Sequence, residues 1–189
     1  MEREEPATEV AFVLGGGGLL GAHEVGMLQA LAEAEIRPDV ILGTSIGAVN
    51  GAFFAADPTP SGVSALIDRW RDTAPAVTAT TALRGLTTLA RSGTHLQPYS
   101  PIRQRLAQLL PVETVEELAV PFQCVAASIE RAAEHWFTEG PLADVLLASC
   151  AVPGVLPPVR IGEEHFIDGG IVNSIPVSRA VQLGAREIY

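Results

Sequence analysis

Five apolar residues, Val10-Ala11-Phe12-Val13-Leu14, run directly into four consecutive glycines, Gly15 to Gly18. A short run of this kind reads as a buried strand, and the glycines stop it abruptly. Behind them the period changes. Val25, Leu28, Leu31, Ala32 and Ile36 recur at helical spacing, with Glu24, Glu33 and Glu35 expected on the outer face. Pro38 ends that helix, Val40-Ile41-Leu42 starts a second strand, and Ile46 to Ala56 is apolar enough for a buried helix. Strands alternating with helices are the mark of an α/β fold. The expectation is a three-layer sandwich around a mainly parallel central sheet.

The same alternation continues towards the C-terminus. Val63 to Arg71 predicts a helix with Leu66, Ile67 and Trp70 on one side, and Ser100-Pro101 starts another. Thr114 to Glu117 has the form of a capping box. Phe122 to Ile129 and His135 to Thr138 read as paired strands, and Leu142 to Cys150 as a helix. A hairpin around Gly162 leads into Asp168-Gly169-Gly170, a last helix runs from Val177 to Leu183, and a strand begins near Ile188. Residues 74–97, rich in Thr and Ala, fit a helix, a flap or an interfacial surface equally well. The acidic residues 1–9 are expected to be a flexible N-terminus before one domain over 10–189.

Composition removes several function classes. The net charge is −10 and all twelve basic residues are arginine. A nucleic-acid partner is therefore not expected, since phosphate-tracking surfaces carry a basic excess. Without lysine the chain has no Walker-type phosphate loop and no Schiff-base amine of its own. Cys124 and Cys150 sit in apolar runs and read as buried, reduced thiols. The start, Met1-Glu2-Arg3-Glu4-Glu5, lacks the basic-then-apolar order of a secretory signal, and the charge-free stretch Val40 to Ala56 is short for a membrane span. A cytoplasmic protein is expected, at most peripheral to a membrane. His and acidic residues show no metal-ligand spacing, so neither a metal nor a cofactor is expected.

Two glycine motifs carry the chemistry. Gly16, Gly18 and Gly21 satisfy G-x-G-x-x-G, but a dinucleotide site wants an acidic residue after the second strand, and Asp39 precedes it. That end of the strand holds Gly43-Thr44-Ser45-Ile46-Gly47, a G-x-S-x-G in strand–turn–helix context, as a nucleophile elbow requires. Both motifs fall at the C-terminal ends of adjacent strands. Main-chain N–H groups of the glycine loop and of Ile46 are thus candidates to stabilise an oxyanion formed when Ser45 attacks an ester. A base is harder to find. His23, His95, His135 and His165 all precede Asp168 and lack motif context. Asp168 fits the role of base and that of a plain turn residue equally well.

Gly15 to Gly21, Gly43 to Gly47 and Asp168-Gly169, in this order, resemble the patatin-like phospholipase family. The phrases Ala148-Ser149-Cys150-Ala151-Val152-Pro153-Gly154, Asp168-Gly169-Gly170-Ile171-Val172-Asn173 and Pro176-Val177 resemble it too, so the likeness runs from about Val10 to Tyr189. The resemblance implies a serine–aspartate dyad without histidine, with Ser45 as nucleophile, Asp168 as base and Gly16, Gly17 and Gly18 as oxyanion donors. It implies a fatty-acyl ester of a phospholipid, lysophospholipid or neutral lipid as substrate, with transient contact at a membrane surface. Many bacterial members carry a basic residue where Leu20 stands, and members usually continue past Ile188, so a truncated C-terminus is expected. Leu19 fits core packing and acyl contact equally well. Two other classes answer to parts of the pattern: a non-catalytic scaffold of the same fold, and a nucleotide-binding module.

Overall fold

The computed structural model describes residues 8–73 and 99–189; the expectations for residues 1–7, for 74–97 and for His95 lie outside them. Among the described residues there are seven strands: β1 (Val10–Leu14), β2 (Val40–Thr44), β3 (Phe122–Ser128), β4 (Ala133–Phe137), β5 (Val159–Ile161), β6 (Glu164–Asp168) and β7 (Glu187–Ile188). They form one sheet in the order β5-β6-β3-β2-β1-β7, with β4 also paired to β3. β7, β1, β2 and β3 run parallel, whereas β4, β5 and β6 join antiparallel. The α-helices among the described residues are α1 (Gly21–Glu33), α2 (Ile46–Ala56), α3 (Pro60–Thr73), α4 (Tyr99–Leu109), α5 (Leu142–Ser149) and α6 (Val177–Gln182).

Strand alternation divides the core between the two faces of the sheet. Phe12, Leu14 and Ile41 point into the main cluster with Val25, Leu28, Phe54 and Leu146. Ala11, Val40 and Leu42 point the other way, into a smaller cluster closed by Ala180 of α6. Three layers result, as expected. Among the described residues no helix is long and apolar enough to cross a membrane.

The register around β3 decides which chain ends meet. β4 pairs with Cys124 to Ser128, overlapping both β2, which pairs with Phe122 to Val125, and β6, which pairs with Ala126 to Ser128. A strand has two edges, so β2 and β6 must share the edge opposite β4. They lie on it end to end and run towards each other. Thr44 ends β2 opposite Val125, and Asp168 ends β6 opposite Ala126.

Two side chains depart from the simple amphipathic picture. Asp39 sits at the N-terminal end of the parallel strands, where its Oδ2 accepts the N–H groups of Glu9 and Val10, each at 2.9 Å. Glu24, expected on the outer face of α1, is half-buried and bonds to Asn50. Its position explains why: residue 24 shares a helical stripe with buried Gly21 and Leu28.

The turn from β2 into α2 brings Gly47 against the end of β1, where a Cβ would lie 2.3 Å from the Leu14 carbonyl oxygen. Gly26, by contrast, lies inside α1 with nothing within 4 Å of a Cβ. Gly47→Ala should therefore lower the unfolding free energy by about 3 kcal/mol, the upper end for overpacking. Gly26→Ala should raise it by about 1 kcal/mol by restoring helix propensity. Urea denaturation of the two variants measures both signs.

Candidate active site

Ser45 occupies the turn between β2 and α2 with φ 54° and ψ −122°. A non-glycine residue held there stores about 1–3 kcal/mol of strain, so its surroundings must fix it. They do so on both sides. The Ser45 N–H donates to Ser149 Oγ at 2.9 Å, and the fully buried Ser149 hydroxyl donates in turn to the Val125 carbonyl at 2.7 Å. The Ser45 carbonyl accepts from Ala48 and Val49 as α2 begins. Ser149 was visible in the sequence only as part of a phrase. Its position at the last turn of α5, against β3, is a tertiary fact.

The Ser45 hydroxyl donates to Asp168 Oδ2 at 2.7 Å, across 123 positions of sequence. Asp168 is 7% exposed. Its other oxygen, Oδ1, accepts the Gly170 N–H at 2.7 Å as the chain enters a 3-10 turn over Gly169–Ile171. The Asp168 N–H donates to the Ala151 carbonyl at 3.0 Å. One carboxylate oxygen thus makes the turn contact, and the other faces the Ser45 hydroxyl. The segment after the turn is pinned as well: Thr44 Oγ1 donates to the Asn173 carbonyl at 2.9 Å.

The glycine loop lies alongside. A Cβ on Gly16 would be 3.5 Å from that of Ser45. The Gly16 N–H, however, donates to the Ser174 carbonyl at 2.8 Å. In the present arrangement the Gly16 N–H, expected as an oxyanion donor, is thus engaged by Ser174. Among the described hydrogen bonds, the N–H groups of Gly17 and Gly18 donate to nothing, and both residues are exposed. The N–H of Ile46, the first residue of α2, has no intrahelical acceptor. Leu19 and Leu20 are 70% and 69% exposed, so Leu19 is not a core residue.

None of the described histidines is hydrogen-bonded to the serine. His165 Nδ1 pairs with Glu130 at 2.7 Å, His135 meets Arg131 and packs on Phe137, and His23 lies on the exposed side of α1. Cys150 lies next to the dyad as a free thiol, and burial together with the Asp168 charge pushes it up to about 12. It is therefore a protonated neighbour and a poor nucleophile. Among the described residues no three His, Cys, Asp or Glu side chains are grouped to hold a metal ion.

An apolar cavity of about 620 Å³ opens beside the turn, its wall including Gly18, Leu19, Ile46, Phe53, Trp70 and Leu106. Its polar border is a small network. Trp70 Nε1 donates to Asn50 Oδ1 at 2.9 Å, and Asn50 Nδ2 donates to Glu24 Oε2 at 2.8 Å and to the Gly21 carbonyl at 3.0 Å. Burial pushes the Glu24 carboxyl up, opposed by hydrogen bonds from Asn50 and the Gly15 main chain.

Residues 12–181 match the family model for patatin-like phospholipases. The patatin-like phospholipase domain-containing protein 7 of Rattus norvegicus is 31% identical over 181 residues, covering 95% of this chain and 13% of that protein. An NTE family protein of Mycobacterium tuberculosis is 30% identical over 176 residues, covering 93% of this chain and 46% of its own. The chain thus spans less than half the length of these relatives. VipD from Legionella pneumophila shares the fold at a TM-score of 0.53 and 17% identity, over 89% of this chain and 47% of that one. With the family pattern matched from β1 into α6 and the sheet built as described, this chain belongs to the patatin-like phospholipase family.

Proposed function

We propose that the chain is a serine hydrolase of fatty-acyl esters acting through Ser45 and Asp168, with a covalent acyl-enzyme. The observation that carries this is the 2.7 Å hydrogen bond from the Ser45 hydroxyl to Asp168 Oδ2, made at a strained turn beside unengaged main-chain N–H groups. Asp168 takes the hydroxyl proton as Ser45 Oγ attacks the ester carbonyl carbon. The electron pair displaced onto the carbonyl oxygen is received by the N–H groups of Gly17, Gly18 and Ile46. Each such donor is worth about 2.7–4 kcal/mol in hydrolases of known mechanism. Collapse expels the alcohol, which takes the proton from Asp168. Water, losing a proton to the same carboxylate, then attacks the acyl-serine; the C–Oγ bond breaks, the acid leaves, and Asp168 returns the proton to Ser45 Oγ.

The cavity supports the acyl side of this reading. It begins at Gly18 and Ile46, where the carbonyl oxygen would lie, and an apolar chain continuing from that carbon enters a wall of Phe53, Leu66, Trp70 and Leu106. The rim supports substrate delivery from a lipid surface. Leu19, Leu20, Val152, Val155, Ile171 and Ile175 are all exposed on segments adjoining the dyad. A chain of net charge −10 without lysine has little to attract an anionic bilayer, so this contact is apolar and transient. Phospholipids, lysophospholipids and neutral lipids all offer the required ester.

Ser45→Ala should reduce hydrolysis of a p-nitrophenyl butyrate probe by about 10⁴-fold or more. Asp168→Asn should do nearly the same while folding normally, because the amide oxygen can still receive the Gly170 N–H. Full activity in Asp168→Asn would remove that residue from the mechanism. A well-folded wild type that turns over no ester and takes no fluorophosphonate label would favour the scaffold.

Two further outcomes test the substrate side. Leu106→Trp should shift the preferred acyl length of a p-nitrophenyl ester series to shorter chains and leave the acetyl ester unaffected. The pair Leu19→Asp with Leu20→Asp should slow hydrolysis of vesicle-borne lipid far more than that of a dissolved ester, as read from the ratio of the two rates.

A further inference from the structure

Asn50 is a fully buried amide on the otherwise apolar helix α2, little more than a turn after Ser45. Its orientation is dictated by what its neighbours can do. An indole N–H only donates, so Trp70 Nε1 must face Oδ1. An ionised carboxylate only accepts, so Glu24 must face Nδ2. The second Nδ2 proton is thereby aimed at the Gly21 carbonyl, 3.0 Å away. Gly21 closes the glycine loop, and it lies close enough to α2 that a Cβ would be 2.7 Å from Ile46 Cγ1 and 3.2 Å from Asn50 Nδ2.

We propose that Asn50 is a positioning residue: oriented by Glu24 and Trp70, it ties the end of the glycine loop to the helix that carries the nucleophile. The inference rests on the Ser45–Asp168 reading above, because it concerns the distance between Ser45 and the donors of Gly17 and Gly18. Those donors lie between two fixed points, the Gly16 N–H on Ser174 and the Gly21 carbonyl on Asn50. Release of the second point lets the intervening turn drift away from the developing oxyanion. A drift of about 1 Å is enough for a loss of about 10²-fold in rate. Because the loop meets the oxygen most strongly when it is charged, the loss appears in kcat and kcat/KM together and leaves KM little changed.

The test uses the full chain with Asn50→Ala and Glu24→Gln, assayed on the dissolved ester beside Ser45→Ala, with amide hydrogen exchange followed on peptides spanning residues 15–21. Asn50→Ala should lose about 10²-fold in kcat. Glu24→Gln keeps the side-chain volume and one acceptor oxygen, but sets an amide donor against either Asn50 or the Gly15 main chain, both of which donate to the native carboxylate, and should lose about 10-fold. In both, exchange should quicken over 15–21 and stay unchanged in β3 and α5. If Asn50→Ala does not fold, since it strands Glu24 and Trp70, Glu24→Gln decides alone. Wild-type kcat in the folded variants, or unaltered exchange over 15–21, overturns the proposal. So does faster exchange spread over the whole chain together with a lower Tm and an unchanged kcat, which is the mark of a merely structural amide. Hydrolysis surviving Ser45→Ala would sink the functional reading instead, and loop exchange would still judge the tie by itself.

Discussion

One edge of β3 carries two strands end to end, and the site exists because of it. β2 arrives from one direction and stops opposite Val125; β6 arrives from the other and stops opposite Ala126. Each strand then leaves the sheet at the point where they meet, one through Ser45 and the other through Gly169. Sheet hydrogen bonds set the position of both chain ends to within the register of a ladder, which cannot slip by one residue without reversing every side chain. The separation of 123 positions between Ser45 and Asp168 contributes no uncertainty to that distance. The same step of β3 also anchors the serine from below, since the Val125 carbonyl receives Ser149, and Ser149 receives the Ser45 N–H.

That arrangement explains how a strained residue is kept in place. The conformation of Ser45 is unfavourable by about 1–3 kcal/mol. Against it stand the hydrogen bond to Ser149, the start of the α2 ladder on the Ser45 carbonyl, and the hydroxyl bond to Asp168. Relaxing the turn would leave Ser149 with a buried, half-satisfied hydroxyl and take the first turn of α2 away from β1, against which Gly47 is packed. Local strain is thus held by groups on three separate elements, α5, β6 and β1, with β3 behind Ser149.

Much of this was legible in the chain. Val40 to Gly47 spells out strand, turn and helix in neighbouring residues, so the elbow is a local matter, and the glycine run after β1 is another. The unreadable part is whatever depends on a partner distant in sequence. The Gly16 N–H meets Ser174 because the segment after Asp168 crosses back over the loop, and nothing near Gly16 announces it. Ser149 looks like any small residue at a helix end. Glu24 is the instructive case. Its spacing from Gly21 and Leu28 placed it on the inner stripe of α1 while its charge argued for the outer face, and the buried Asn50 reversed the usual outcome by offering it a donor. A charged residue in an apolar stripe is a question about a missing partner.

In the mechanism proposed above, a base without a histidine has to be aimed by the protein itself. In a triad the acid orients an imidazole; here the acid is itself in contact with the serine, and its own rotation has to be stopped. The Asp168 main chain is held by its pairing with Ala126 and its N–H on Ala151. The remaining freedom is rotation of the carboxylate, which would exchange its two oxygens, and the Gly170 N–H on Oδ1 prevents that. Oδ2 is then left pointing at Ser45. The turn after β6 therefore does more than end a strand: by taking one oxygen of the carboxylate it fixes the direction of the other. In the proposed mechanism the same residue thus serves the turn through one oxygen and receives the serine proton on the other.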